Sequence, residues 1–296
     1  MIVAWAATSL PAAEPKPELA NELDVRAAAR MGAGDLVGAL ANVEQAIILN
    51  PRAPWPFARR AAIRTAQGDL KGALEDASRA ITLDPALAAA YTARGQCRFE
   101  LGDFAGAADD HGRVIALLPN EAEGYWNRAG ARVALGRYSA ARDDADRALA
   151  LNPKATLALR NRAIARLKLG DRAGAEADFD RAIEVAPGDA QNFFNRSKFR
   201  QDEKKDLSGA IADATQAIAL QPGNASFHNA RGFARQRAGD LPGAMADYSR
   251  AIELNPEFAL AYQNRGEAKR ASGDRFGAMD DLDRALQLQS RPKSGR

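Results

Sequence analysis

Small and apolar residues along this chain return on a helical rhythm, and the rhythm itself recurs. Pro51, Pro85, Pro119, Pro153, Pro187, Pro222 and Pro256 follow one another at 34, 34, 34, 34, 35 and 34 residues, mostly after Leu-Asn, Leu-Asp or a similar pair. A fixed period of this size is the mark of a repeat architecture. With that proline as the thirty-second residue, eight repeats begin at Ala20, Pro54, Ala88, Ala122, Thr156, Ala190, Ala225 and Ala259. Position 20 is alanine in all eight, from Ala39 to Ala278, and position 27 is alanine except for Val114. Position 8 is always small, as in Ala27, Gly95, Ser197 and Gly266, and position 28 is always Ile or Leu. Positions 20, 24, 27 and 28 share one stripe of a 3.6-residue period, and small residues at 8, 20 and 27 let two helices approach closely. Each repeat therefore reads as a helical hairpin.

The punctuation agrees. Gly-Asp at positions 15 and 16, as in Gly68-Asp69, Gly102-Asp103, Gly170-Asp171, Gly239-Asp240 and Gly273-Asp274, ends one helix and turns into the next. Glycine supplies the left-handed residue after a helix C-terminus, and proline at position 32 cannot continue a helix interior.

These residues resemble the tetratricopeptide repeat family, whose 34-residue pattern carries an aromatic at 4, small residues at 8, 20 and 27, a large residue at 24 and proline at 32. The resemblance covers over nine tenths of the chain. Repeats that open as Ala261-Tyr262-Gln263-Asn264-Arg265-Gly266 are similar to the common bacterial variety. It implies an all-α fold, an α-solenoid in which eight hairpins stack into a right-handed superhelix whose first helices line a concave groove. The expected organisation is a non-repeat segment 1–19, repeats 20–53, 54–87, 88–121, 122–155, 156–189, 190–224, 225–258 and 259–290, and a disordered basic tail 291–296. Two departures stand out. The sixth repeat has one extra residue and Asp202-Glu203-Lys204-Lys205-Asp206 in place of the glycine turn, so an irregular turn is expected. The eighth has Ser290 where proline is usual, and Leu282, Leu286 and Leu288 are expected to be left partly uncovered.

Position 7 is arginine in every repeat, and position 11 is arginine in seven with Lys269 in the last. Positions 7 and 11 share a helix face. Position 23 is Asp76, Asp110, Asp144, Asp178, Asp213, Asp247 and Asp281, with Asn42 in the first repeat. That position lies on the packed stripe, where a carboxylate needs partners, so the arginines are expected to meet it in charge-assisted bonds. The competing reading is a phosphate-binding track, which would leave the guanidinium heads unpaired toward the groove.

The family's groove is formed by first-helix positions 2, 5, 6, 9, 12 and 13. Position 6 holds Asn127, Asn161, Asn195 and Asn264, amides able to bond the backbone of an extended peptide whatever its sequence. They resemble the asparagine ladder of the O-linked N-acetylglucosamine transferase family; the alternative is that Asn-Arg-Gly is only a common repeat spelling. Nearby stand Phe99, Trp126, Arg160, Phe194, Lys198, Phe233, Arg237 and Arg270. Aromatics beside cations suit an extended segment carrying apolar and acidic side chains, with repeats four to seven as the expected patch. The family's carboxylate clamp for chaperone tails needs Asn at position 9, which no repeat supplies.

Composition narrows the chemistry. A formal charge of +3, with acids and bases interspersed, makes no general case for a nucleic-acid partner. The one cysteine, Cys97, excludes an intramolecular disulfide and a multi-thiolate metal site. His111 and His228, at positions 24 and 4, read as interior filler, and adjacent pairs such as Asp109-Asp110 diverge by about 100° on a helix. No phosphate-cradling loop, nucleophile elbow or metal spacing is present, so no catalytic residue, metal or cofactor is expected. No apolar run approaches the ~18 to 20 residues of a membrane span. Residues 1–19, apolar and Ala-rich over the first ten and then a Pro/Lys/Glu spacer, resemble the back half of a secretory signal without its positive n-region, which leaves cytoplasm and periplasm both open. The functional expectation is a non-enzymatic adaptor holding an extended peptide or partner protein; the alternative is a structural subunit that self-assembles through its poorly capped ends.

Overall fold

The computed structural model describes residues 16–290. Residues 1–15 of the signal-like segment and the basic tail 291–296 lie outside the described residues. Among those described, sixteen α-helices follow one another: α1 (Pro17–Gly32), α2 (Leu36–Leu49), α3 (Pro54–Gln67), α4 (Leu70–Leu83), α5 (Ala88–Glu100), α6 (Phe104–Leu117), α7 (Ala122–Ala134) and α8 (Tyr138–Leu151). Then come α9 (Thr156–Lys168), α10 (Arg172–Val185), α11 (Ala190–Phe199), α12 (Leu207–Leu220), α13 (Ala225–Arg237), α14 (Leu241–Leu254), α15 (Ala259–Ser272) and α16 (Arg275–Ser290). Each odd-numbered helix and its successor form a hairpin. No helix among the described residues is long and apolar enough to cross a membrane. Helix α1 starts at Pro17, ahead of Ala20, because a proline at the first helical position has its φ already set and no N–H to satisfy.

The turns are built from the Gly-Asp signal. Gly68 sits at φ 85° and Gly239 at 89°, the left-handed region that ends the first helix. The aspartate that follows caps the second helix: Asp69 accepts from the Gly72 N–H at 3.0 Å and Asp240 from the Gly243 N–H at 2.9 Å. Glycine at the third helical position is required, since a Cβ on Gly243 would fall 2.1 Å from Asp240 Oδ2.

The hairpin cores are narrow. Ala39, Ala73, Ala107, Ala141, Ala175, Ala210 and Ala244 have no exposed surface. Opposite His111, Tyr248 and Leu282 at position 24 the first helix carries glycine, and a Cβ on Gly232 would meet the Tyr248 ring at 2.8 Å; opposite Phe179 it carries Ala163. So little apolar area lies inside one hairpin that burial depends on its neighbours. Tertiary contacts divide the chain into two compact units, Met1–Gly124 and Tyr125–Arg296, the division falling within α7. In the first, Ala27, Ala39, Val43 and Ile63 form one of the clusters; in the second, Ala163, Ala175, Phe179 and Phe199 form another, and Tyr248 packs with Ala244 and Ala268.

The extra residue of the sixth repeat is absorbed as a π-helical turn, Arg200–Lys204, closed by Lys205 at φ 55° where other repeats place glycine. In the last hairpin Phe276, Met279 and Leu286 are 85%, 61% and 62% exposed, while Leu282 and Leu288 are half-buried.

The arginines and aspartates close each hairpin from the second onward. Arg60 donates from Nε and Nη2 to the two Asp76 oxygens, both at 2.7 Å, and Arg64 Nη1 adds a third bond at 2.7 Å. The same three-bond clamp joins Arg94 and Arg98 to Asp110, Arg128 and Arg132 to Asp144, and Arg162 and Arg166 to Asp178. Further along, Arg196 and Arg200 hold Asp213, Arg231 and Arg235 hold Asp247, and Arg265 with Lys269 holds Asp281. Hydrogen bonds to the buried carboxylates, acting against desolvation, raise Arg60, Arg94 and Arg265 above the ordinary arginine value. These heads are therefore paired, not offered to a phosphate. The first hairpin lacks the clamp: Arg26 turns outward to Glu22 at 2.6 Å, and the Asn42 amide nitrogen is buried without a partner.

Candidate functional site

Within the second compact unit, α11, the π-turn, α13 and the start of α15 enclose a cavity of about 440 Å³. Phe194 and Lys198 come from α11, one helical turn apart. Gln201 and Asp202 come from the π-turn, Asn229, Ala230 and Phe233 from α13, and Phe258, Leu260 and Asn264 from the last first-helix and the residue before it. Phe194 leans on Phe227 with ring centroids 5.1 Å apart, and the Lys198 ammonium lies 5.8 Å over the Phe194 ring. Asn264 donates to Asn229 Oδ1 at 3.0 Å, and both residues are buried. Arg237 donates to the Gln201 carbonyl at 2.8 Å and so ties α13 to the π-turn. The result is an apolar hollow with a few convergent polar groups and an exposed cation at its mouth, the usual make-up of a ligand-binding concavity.

Four of the groove residues read from the sequence, Phe194, Lys198, Phe233 and Asn264, thus line one cavity, with Arg237 buttressing its wall. The others lie elsewhere. Trp126 and Asn127 are half-buried on α7, and the Trp126 carbonyl accepts from Asn161 at 3.0 Å. Arg160 departs from an open groove cation: its side chain is 15% exposed and donates to Asp189 at 2.8 Å and to Asn192 at 3.3 Å. Asn195 accepts from Gln191 within α11 at 3.1 Å. Arg270 is exposed in the last turn of α15. Phe99 belongs to the first compact unit, where it packs edge-on against Phe104 at 5.1 Å. The asparagines at position 6 are thus placed unlike one another, Asn161 and Asn264 each spending one amide donor inside the chain.

Gln201, Asn229, Phe258 and Leu260 were missing from the sequence reading. Asn229 and Leu260 occupy the groove positions 5 and 2, so the position rule alone would have found them. Gln201 sits at position 12, but the irregular turn hid which way it faces.

The class that fold and concavity define is an α-helical repeat protein with a ligand-sized hollow on its first-helix face. A tetratricopeptide repeat profile matches residues 63–122 and 127–190, and a second TPR repeat profile matches 237–273. Together these span more than half of the sequence, and the chain belongs to the tetratricopeptide repeat family. Among solved structures, a tetratricopeptide repeat protein from Parabacteroides merdae is similar with a TM-score of 0.65 and 20% identity, over 91% of this chain and 99% of that one. Yeast Tom70 aligns with a TM-score of 0.66 and 18% identity, over 94% of this chain and 64% of its own. The Cut9-Hcn1 hetero-tetramer of the APC/C gives 0.69 and 14%, over 87% and 51%. At such identities the likeness speaks for the fold. No curated protein matches the chain.

Proposed function

We propose that this protein is a non-catalytic interaction scaffold that holds an extended peptide, or an extended segment of a partner protein, on the first-helix face of its second compact unit. The observation that carries the reading is the cavity whose lining residues occupy groove positions: Phe194, Phe233 and Lys198 remain open there, while the clamp arginines are paired. Aromatic anchors beside a cation suit a protein partner. With so many arginines already bonded to aspartates, nucleic acid is a poor candidate, and no steep salt dependence is expected. The reading calls for no cofactor or metal.

Selection of a random-peptide display library on the full chain tests it, with the Trp126→Ala/Phe194→Ala/Asn161→Ala variant alongside. Peptides that bind the wild type and lose at least tenfold on the variant are expected. A library that yields no binder, or binders indifferent to the triple substitution, removes the groove assignment.

A second reading, self-association through the last hairpin, is favoured by the exposure of Phe276, Met279 and Leu286 on α16. Light scattering separates the two: growth of the apparent mass with concentration supports assembly, and a constant monomer mass leaves the adaptor.

A further inference from the structure

We propose that the cavity between α11, α13 and α15 is an anchor pocket for one large aromatic side chain of an acidic peptide segment, whose own backbone amide is read by the Asn229–Asn264 pair. This rests on the groove reading above and sharpens it to a residue class.

Three features of the hollow select that occupant. Its apolar wall is made by Phe194, Phe233, Phe258 and Leu260, and its volume of about 440 Å³ falls within the roughly 300–1,000 Å³ typical of ligand pockets. An aromatic ring, which buries roughly 150–250 Å² and prefers offset or edge contact with other rings, uses such a wall better than an aliphatic side chain.

The polar groups match a peptide unit. An amide has two donors and two acceptor sites. Asn264 spends one donor on Asn229 Oδ1, so the pair still offers the Asn229 amide nitrogen and the Asn264 carbonyl oxygen. One donor beside one acceptor is the complement of a backbone C=O and N–H. Gln201 adds an unanswered donor: the residue is 5% exposed, it lines the cavity, and its Nε2 has no partner. In the next repeat the glutamine at the same position, Gln236, is held through its oxygen, which accepts from the Tyr248 hydroxyl at 2.7 Å. A buried amide left unbonded is destabilising, and a ligand acceptor within reach would relieve it.

Charge sets the flanks. Lys198 is exposed at the mouth, and the one carboxylate of the lining, Asp202, stands 3.9 Å from Arg237. An acidic residue next to the anchor therefore meets the Lys198 ammonium, while a basic one meets it as a like charge.

The test uses capped pentapeptides titrated into the full chain and followed by saturation-transfer NMR: Ac-Gly-Asp-Trp-Asp-Gly-amide, the same peptide with Ala for Trp, and the same with Lys for both Asp. The acidic Trp peptide is expected to bind at least tenfold more tightly than either of the others. Ala230→Phe, which fills the cavity from α13, is expected to remove that binding, and Lys198→Glu to reverse the preference between acidic and basic flanks. Equal binding of the Trp and Ala peptides, or a flank preference that Lys198→Glu leaves unchanged, overturns the proposal. If Ala230→Phe lowers the melting temperature, the exposed-site variant Lys198→Glu decides alone. Library peptides that bind the wild type and lose affinity on the triple variant, yet ignore both Ala230→Phe and Lys198→Glu, sink the anchor pocket and leave the groove reading standing; a library without binders sinks both.

Discussion

Arg60 grips Asp76 through a two-pronged contact, Nε and Nη2 each 2.7 Å from a carboxylate oxygen, across the turn joining α3 to α4. The same geometry recurs in each later hairpin, with the carboxylate nearly fully buried and the guanidinium partly in water. Planar bidentate pairing is what arginine does and lysine cannot. It ties together two helices whose alanine-lined cores supply little shape of their own.

Removing one partner should therefore cost more than the pair itself contributes, because two cations are left facing a neutral amide. Asp178→Asn is expected to destabilise the protein by about 3 kcal/mol, at the lower end of the buried-pair range since Arg162 is 19% exposed. Urea unfolding reads this directly, and a midpoint equal to wild type would contradict it.

The first hairpin is an internal control. Asn42 stands where the others have aspartate, its amide nitrogen lacks a partner, and Arg26 is 59% exposed. Asn42→Asp should draw Arg26 and Arg30 into the missing clamp and stabilise α1 and α2 by about 1 kcal/mol. Slower amide exchange in those two helices is the expected signature; unchanged or faster exchange speaks against a transferable clamp.

Stability should respond to acid through Asp281. Burial by itself would raise its pKa, but hydrogen bonds and charge from Arg265 and Lys269 prevail and hold it below the ordinary 3.8. A carboxylate depressed in the folded state stabilises above its unfolded pKa, and that contribution is lost as pH falls through the folded value. Unfolding free energy should thus drop as pH is lowered below about 4, and Asp281→Asn should shrink the drop attributable to the last hairpin. Denaturant titrations at stepped pH measure it; an Asn variant with an undiminished acid slope would count against the assignment.

Cys97 should be inert while the chain is folded. It is fully buried, its Sγ donates to the Leu70 carbonyl at 3.1 Å, and burial pushes its pKa above the ordinary 9.0. Since only the thiolate reacts, labelling with a disulfide reagent should be slow in buffer and complete within minutes in denaturant. Rapid labelling of the native protein would show that α5 opens locally.

Much of the fold was legible before any coordinates. Gly-Asp and the recurring proline mark helix ends because φ restrictions and capping act within a few residues of the signal. The pairing of positions 7 and 11 with 23 was legible too, since a charged residue on a packed stripe admits few partners. Candidate-site legibility was uneven. Phe194, Phe233 and Lys198 were found by position, but the sequence could not say that Arg160 turns to Asp189, or that Asn161 reaches the Trp126 carbonyl.

What the chain encodes by itself is therefore its period, its hairpins and the salt clamps that close them, all interactions over at most half a repeat. What tertiary packing decided is which polar side chains are already spent and which remain open: that Asn264 bonds Asn229 from the preceding first helix, and that an inserted residue winds into a π-turn carrying Gln201 to the cavity wall. Those outcomes depend on distances between helices a full repeat apart, set by how neighbouring hairpins stack, and no local pattern of residues specifies them.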